Sequence, residues 1–125
     1  MEEEMIENFD YIRLEVVDSW QLPAVYIIYK KGYELEDLKE DYFVKEVDEE
    51  EYKTVVEKLK ELEISKWQYD YLPDRNEKFE YELMWKFMVC RDGRKFVKKG
   101  KNKFPVQFES LEDFMIESTY QEEEI

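Results

Sequence analysis

Apolar and polar residues alternate at the start of the chain in a pattern that predicts a β-hairpin. Residues 9–18 place apolar side chains on one side and charged side chains on the other, which is typical of a strand with one buried face. After Pro23, residues 24–29 are almost continuously apolar and β-prone, which indicates a central strand covered on both faces. The two strands are therefore predicted to pair around a turn at residues 19–23.

The best-defined helix in the pattern follows a polar loop at residues 32–41 and a third predicted strand at residues 42–47. Asp48 is a good N-cap residue, and Glu51 stands three residues later, close to the spacing of a capping box. Apolar residues then recur at helical spacing. The chain is therefore predicted to form a helix over residues 49–63.

Three more strands are predicted after this helix. Residues 66–71 alternate with aromatic side chains on one face, and the alternation resumes over residues 79–91 after a polar turn at residues 72–78. The Asp92-Gly93 dipeptide is a strong signal for a two-residue hairpin turn. The basic residues 94–99 are predicted to return from that turn as a protected edge strand.

A short helix is predicted near the end of the chain. Ser110, with Asp113 three residues later, has the spacing of a helix cap, and apolar residues at helical spacing place the helix over residues 111–118. The acidic ends, residues 1–6 and 121–125, are predicted to fray.

The composition favours a folded chain, because 17% of the residues are aromatic and can bury large areas from few positions. No stretch rich in Pro, Gly or Ser divides the 125 residues. We therefore expect a single α+β domain over residues 1–125, with a mostly antiparallel sheet of five to six strands. One central helix and one short C-terminal helix complete the predicted fold.

The residue types exclude several kinds of chemistry. The chain has no His, which removes the commonest general base and imidazole metal ligand. Cys90 is the single cysteine, so neither an intramolecular disulfide nor a cysteine zinc cluster can form, and it is predicted to be a small buried side chain. Three glycines form no phosphate-binding loop. We therefore predict no enzyme activity and no catalytic, cofactor-binding or metal-binding residue.

The sequence also favours a cytoplasmic protein without a membrane association. No apolar run approaches the roughly 20 residues that span a bilayer. The first residues are acidic, whereas a signal peptide begins with basic ones. An unpaired Cys90 is consistent with a reducing compartment.

Charge is distributed unevenly along the chain, whose net charge is −14. Residues 91–103 contain seven basic residues and one acidic residue, which leaves a net charge of −20 on the rest of the chain. One interpretation is that the acidic surface attracts a basic protein. Another is that the basic hairpin binds nucleic acid, although the remaining negative charge disfavours this. The simplest interpretation is that both charge clusters are solvated surface that keeps the protein soluble.

Short motifs in the second half of the chain resemble small uncharacterised bacterial α+β proteins. The motifs are, in order, Ile64-Ser65-Lys66-Trp67, a strand with Trp85, the Asp92-Gly93 turn, the segment Gly100 to Pro105, and a closing Phe108, Leu111 and Phe114. Proteins of this size and charge are similar to immunity proteins of bacterial toxin systems. In that pattern an aromatic residue soon follows the turn, whereas here Arg94 and Lys95 precede Phe96. The resemblance implies an inhibitor and supplies no catalytic residue.

We therefore expect an acidic inhibitor of immunity type that binds and occludes a basic protein, such as a toxin that acts on nucleic acid. The alternatives are a phage-encoded antagonist of host defence that mimics nucleic acid, and an adaptor domain without an inhibitory role. The predicted partner-binding residues are acids around the start of the central helix and in the loop before it. They are Asp37, Glu40, Asp41, Glu46, Asp48, Glu49 and Glu50.

Overall fold

A computed structural model of the chain describes residues 1–19, 23–36, 38–73 and 82–120. Within these residues the chain forms three α-helices, six strands and a short 3₁₀ turn at Ile64–Lys66. The helices and strands are, in chain order, α1 (Glu2–Glu7), β1 (Tyr11–Asp18), β2 (Ala24–Lys30), β3 (Phe43–Val47), α2 (Glu49–Glu61), β4 (Asp70–Tyr71), β5 (Leu83–Arg91), β6 (Arg94–Lys101) and α3 (Phe108–Thr119). Most of the predicted turn at residues 72–78, the first part of the predicted strand 79–91 and the predicted tail 121–125 lie outside the described residues.

The six strands form one sheet in the order β3-β2-β1-β5-β6-β4. The three inner pairings, β1 with β2, β1 with β5 and β5 with β6, are antiparallel. At the two ends of the sheet, β3 runs parallel to β2 and β4 runs parallel to β6. The predicted α+β fold with a mostly antiparallel sheet is confirmed, and the structure adds that the sheet is mixed because both of its edge strands are parallel to their neighbours.

The strand pairs of both predicted hairpins are present, and residues 20–22 of the first predicted turn lie outside the described residues. The predicted edge strand at residues 94–99 is wrong in one respect, because β6 lies between β5 and β4 in the sheet. β1 and β2 pair from Tyr11 opposite Tyr29 to Val16 opposite Ala24. Asp92 and Gly93 join β5 to β6 with φ angles of 50° and 75°, as in a type I′ turn, whose twist matches that of the flanking strands.

The core lies between one face of the sheet and the three helices. Fully buried side chains from the two central strands form its floor. The helices cover this floor with apolar stripes that include Ile6 of α1, Leu59 of α2 and Met115 of α3, all with no exposed surface. Burying each such side chain contributes roughly 1.5–3 kcal/mol, so these three contacts fix the helices on the sheet. Cys90 is buried and free, as predicted, on the opposite face.

The predicted strand at residues 66–71 is wrong over most of its length. Glu63 adopts a left-handed conformation with φ of 54°, so α2 ends at Glu61 rather than residue 63, and a 3₁₀ turn follows. Trp67 turns inward, where its indole N–H donates to the Leu62 carbonyl at 3.0 Å. Of the alternating aromatic residues, Trp67 is buried but Tyr69 is 58% exposed, and only Asp70–Tyr71 pair as a strand.

The predicted cap at Ser110 is also wrong. α3 begins at Phe108, with Gln107 at the N-cap position, so Ser110 lies within the first turn. Phe108 and Leu111 are both buried, and the Phe108 N–H donates to the Pro105 carbonyl at 3.0 Å. Burial of Phe108 therefore places the start of the helix one turn earlier than the residues predicted, 111–118.

The segment Gly100 to Pro105 is held tightly against β5. A Cβ at Gly100 would collide with the Trp85 indole, whose N–H donates to the Lys103 carbonyl at 2.9 Å. Asn102 is left-handed, and its side-chain oxygen accepts the Leu83 N–H at 2.7 Å. This motif of the sequence therefore has a structural role.

Residues 1–6 were predicted to fray, but α1 is anchored by a buried ion pair. Lys98, only 1% exposed, contacts Glu2 at 2.9 Å, donates to the Trp67 carbonyl at 2.8 Å and lies 4.0 Å from the centre of the Tyr69 ring. Burial alone raises the pKa of Glu2, but hydrogen bonds from Tyr69 and Lys98 outweigh it and hold the pKa below its usual value. An isolated buried ammonium is costly, so Lys98 requires this N-terminal helix.

Asp10 is a second buried charge, located where β1, β2 and the β5–β6 turn meet. It accepts from Lys30 at 2.7 Å and from the Asp92 backbone N–H at 2.7 Å, and Arg91 lies 3.8 Å away. Burial by itself raises the pKa of Asp10. The hydrogen bonds from Lys30 and the Asp92 backbone have a larger combined effect and hold the pKa below its usual 3.8. One carboxylate therefore links two strand ends to the turn.

Glu2→Gln is expected to lower the free energy of unfolding by about 3 kcal/mol, because it leaves the Lys98 ammonium buried without its counter-ion. The double variant Glu2→Gln/Lys98→Met removes the cation as well and should recover most of that loss. Chemical denaturation of Glu2→Gln, Lys98→Met and the double variant gives the three free energies of unfolding that test this prediction. Strictly additive effects of the single substitutions would show that the pair does not act as a unit.

Asp10→Asn is expected to lower the free energy of unfolding at pH 7 by about 2 kcal/mol. The folded-state pKa of Asp10 lies below 3.8, the value expected for the unfolded chain. The ionised carboxylate therefore stabilises the fold above pH 3.8, and this stabilisation is lost as the pH falls from 3.8 through the folded-state pKa. The variant should therefore converge with the parent in acid. The control Asp92→Asn alters an exposed carboxylate in the same turn and should change stability by less than about 0.5 kcal/mol. Equal effects of the two substitutions would refute the assignment.

Candidate protein-binding site

Six of the seven predicted partner-binding acids lie in the described part of the chain, and all six are exposed: Glu40, Asp41, Glu46, Asp48, Glu49 and Glu50. Asp37 lies outside the described residues. Glu40 and Asp41 precede the edge strand β3, and the other four lie at or just beyond its far end. The two groups are therefore separated by the length of β3, roughly 13 Å from Phe43 to Val47.

The capping box that the sequence predicted at the start of α2 is present. Asp48 accepts the Glu51 N–H at 2.8 Å, and Glu51 accepts the Asp48 N–H at 3.2 Å. Glu49 and Glu50 occupy the same first turn, where the helix dipole stabilises negative charge by about 0.3–1 kcal/mol each. The helix therefore tolerates adjacent acids here, and Asp48 has a structural role besides any contact with a partner.

None of these six acids forms an ion pair with another described residue, whereas the neighbouring Glu51 lies 3.6 Å from Lys45. The basic segment 91–103 is different. Four of its seven cations are paired with acids: Arg91 with Asp10 and Asp92, Lys98 with Glu2, Lys99 with Asp70, and Lys101 with Glu82. Folding thus pairs much of the positive charge of residues 91–103 with acids. The six acids around β3 are left without a cationic partner among the described residues.

Sequence reasoning missed a third group of acids on α3. Glu112 is half-buried and lies close to Tyr26. Burial has the larger effect in raising the pKa of Tyr26, and the charge of Glu112 raises it too. The pKa of Glu112 is itself raised by burial and by the charges of Asp113 and Glu109. These three acids follow i, i+3, i+4 spacing, so helical periodicity would have placed them on one face.

An exposed aromatic side chain lies between Asp41 and Glu46 in the chain and contacts Tyr26, the tyrosine near Glu112. Phe43 begins β3, stacks on Tyr26 with ring centres 5.2 Å apart and remains 48% exposed. Exposed aromatic residues of this kind are common anchors in protein interfaces. We call this surface the acidic edge; it consists of Glu40, Asp41, Phe43, Glu46, Asp48, Glu49, Glu50, Glu109, Glu112 and Asp113.

The described residues contain no group of three or more His, Cys, Asp or Glu side chains placed to hold a metal ion. Burial, as the leading cause, raises the pKa of Tyr11 and of Tyr52 to about 12. Both phenols are therefore fully protonated at neutral pH. Among the described residues, no helix has both the length and the apolar character needed to cross a bilayer.

Comparison of the chain with models of protein families, with curated proteins and with solved structures found no match. The similarity to immunity proteins therefore stays a prediction from the sequence motifs, and the candidate site depends on its own geometry.

Glu112→Gln is expected to stabilise the protein at pH 7. Because the folded-state pKa of Glu112 is raised above 4.5, its ionised form destabilises the fold, and this penalty appears as the pH rises through 4.5 and the folded-state pKa. The stabilisation should disappear well below pH 4.5. The control Glu57→Gln, on the exposed face of α2, should stay within about 0.5 kcal/mol of the parent. Denaturation curves at several pH values test this, and a less stable Glu112→Gln variant at pH 7 would contradict it.

Proposed function

We propose that the protein is an acidic inhibitor of immunity type that uses the acidic edge to bind and occlude a basic protein. The partner we favour is a bacterial toxin that acts on nucleic acid, since such a toxin carries a cationic surface for phosphates. We place this action in the cytoplasm, where the free thiol of Cys90 would persist.

The observation that carries the proposal is the contrast between paired cations and unpaired acids. The six predicted acids around β3 form no ion pairs with described residues, while four of the seven cations of the basic segment are paired with acids. A solvated surface needs only mixed charges to remain soluble. Acids grouped along one sheet edge would in addition present a local negative potential to a cationic partner.

Binding would begin with long-range attraction. Complementary potentials raise association rates from about 10⁵–10⁶ to as much as 10⁸–10⁹ M⁻¹s⁻¹ at low salt. A cationic partner would also relieve the repulsion among Glu109, Glu112 and Asp113, which disfavours the ionised form of Glu112 in the free protein. Relief of this repulsion would therefore add to the binding free energy of the complex.

Docking would use Phe43 as its apolar centre. The ring is already held against Tyr26, so little side-chain entropy is lost when a partner covers it. Glu40 and Asp41, which precede Phe43, and Glu112, which lies near Tyr26, would then face cations that otherwise contact nucleic acid. Inhibition would follow from occupation of that surface and requires no chemistry from this chain.

The test compares two charge-reversed variants with the same net charge. The first changes Glu40, Glu46, Glu49 and Glu50 to Lys, which spares the Asp48 cap. The control changes Glu4, Glu57, Glu61 and Glu117 to Lys; these are also exposed acids without ion pairs among the described residues, and they lie outside the acidic edge.

Each protein is immobilised and used to capture binding proteins from the cytoplasm of its host, which mass spectrometry identifies. We expect the parent and the control to enrich the same basic protein and the first variant to lose it. With that protein purified, its association rate should fall at least about tenfold for the first variant at low salt. Equal capture by both variants would refute binding through the acidic edge.

A further inference from the structure

A groove of about 570 Å³ lies on the face of the sheet opposite the helices, at the end next to β4. β1, β5 and β6 supply its floor, and Asp70 and Leu72 border it at the β4 end. The volume falls within the range of small-molecule sites, about 300–1,000 Å³. The acidic edge is formed by other residues, so the groove is independent of the proposed function.

Strand register arranges the groove in two rows. Val17, Met84 and Lys101 lie side by side across β1, β5 and β6, and Glu15, Lys86 and Lys99 form the next row. The first row is mainly apolar, and Met84 is 42% exposed there. Leu72 is 64% exposed at the same site, so apolar side chains meet solvent beside a row that carries cations.

The second row contains a pair of like charges, of which only one has a counter-ion among the described residues. Lys86 and Lys99 are directly opposite each other, an arrangement that destabilises a sheet. Lys86 has no ion pair with another described residue, and Lys99 reaches Asp70 only at 3.7 Å. Glu15, on the other side of Lys86, is bound to Arg13 at 3.2 Å. An anion between the two ammonium groups would remove this repulsion.

We propose that the groove binds an amphiphilic carboxylate, a small molecule with one carboxylate head and an unbranched apolar tail. The head lies between Lys86 and Lys99, and the tail covers Met84, Val17 and Leu72. Burying the tail supplies most of the binding free energy, at roughly 25 cal/mol per Å² of apolar surface. The pair Lys86 and Lys99 makes the groove select a negatively charged head.

Decanoate and decyltrimethylammonium, both below their micelle concentrations, serve as probes in NMR and calorimetric titrations. The net charge of −14 by itself favours the cationic probe. We expect saturable binding of decanoate at one site, with the largest amide shifts at Val17, Met84, Lys86 and Lys99, and weaker binding of the cation. Stronger binding of the cation, or decanoate shifts spread over the surface, would overturn the proposal.

Two variants and a control identify the site. Lys86→Glu should weaken decanoate binding about tenfold, since it replaces an attraction by a repulsion. Met84→Thr keeps the charges but removes tail contact, and should weaken binding as well. The control Lys95→Glu makes the same charge change on the same face of β6, outside the groove, and should have little effect. Denaturation curves confirm that each variant is folded, and equal losses for Lys86→Glu and Lys95→Glu would refute the site.

Discussion

The fold depends on the requirement that a buried charge has a partner. Lys98 lies under the sheet because the carboxylate of Glu2 reaches it from the N-terminal helix, and Asp10 joins three chain segments because Lys30 and the Asp92 backbone satisfy it. Replacing one member of such a pair leaves an uncompensated charge in a low-dielectric site. Helix α1 and the β5–β6 turn are therefore held in place by electrostatics as well as by apolar packing.

The same requirement shapes the surface. Acids from distant parts of the chain pair with the cations of residues 91–103, so those acids and cations contribute little net potential. The acids around β3 have no such partners among the described residues. Ion pairing thus reduces the positive charge of the basic segment and leaves the acids at β3 without a counter-ion among the described residues. This link between packing and potential supports the proposed inhibitor.

Short-range features could be predicted from the sequence because neighbouring residues determine them. The Asp48–Glu51 capping box and the Asp92-Gly93 turn each have a local signal. The mistakes occur where distant contacts override local pattern. Trp67 turns into the core, which ends the predicted strand, and burial of Phe108 moves a helix start away from Ser110. Pairing of Glu2 with Lys98 joins helix α1 to strand β6, which are far apart in the sequence, and no local pattern indicates it.

Negative potential on the folded protein is expected to be strongest along the acidic edge. Paramagnetic relaxation of amide protons by a cationic and an anionic nitroxide reports this potential residue by residue. We predict that the preference for the cationic probe is strongest at residues 40–50 and 109–113 and much weaker at residues 91–101. An equal preference for the cationic probe at all three segments would contradict the account, because the charge would then be spread evenly over the surface.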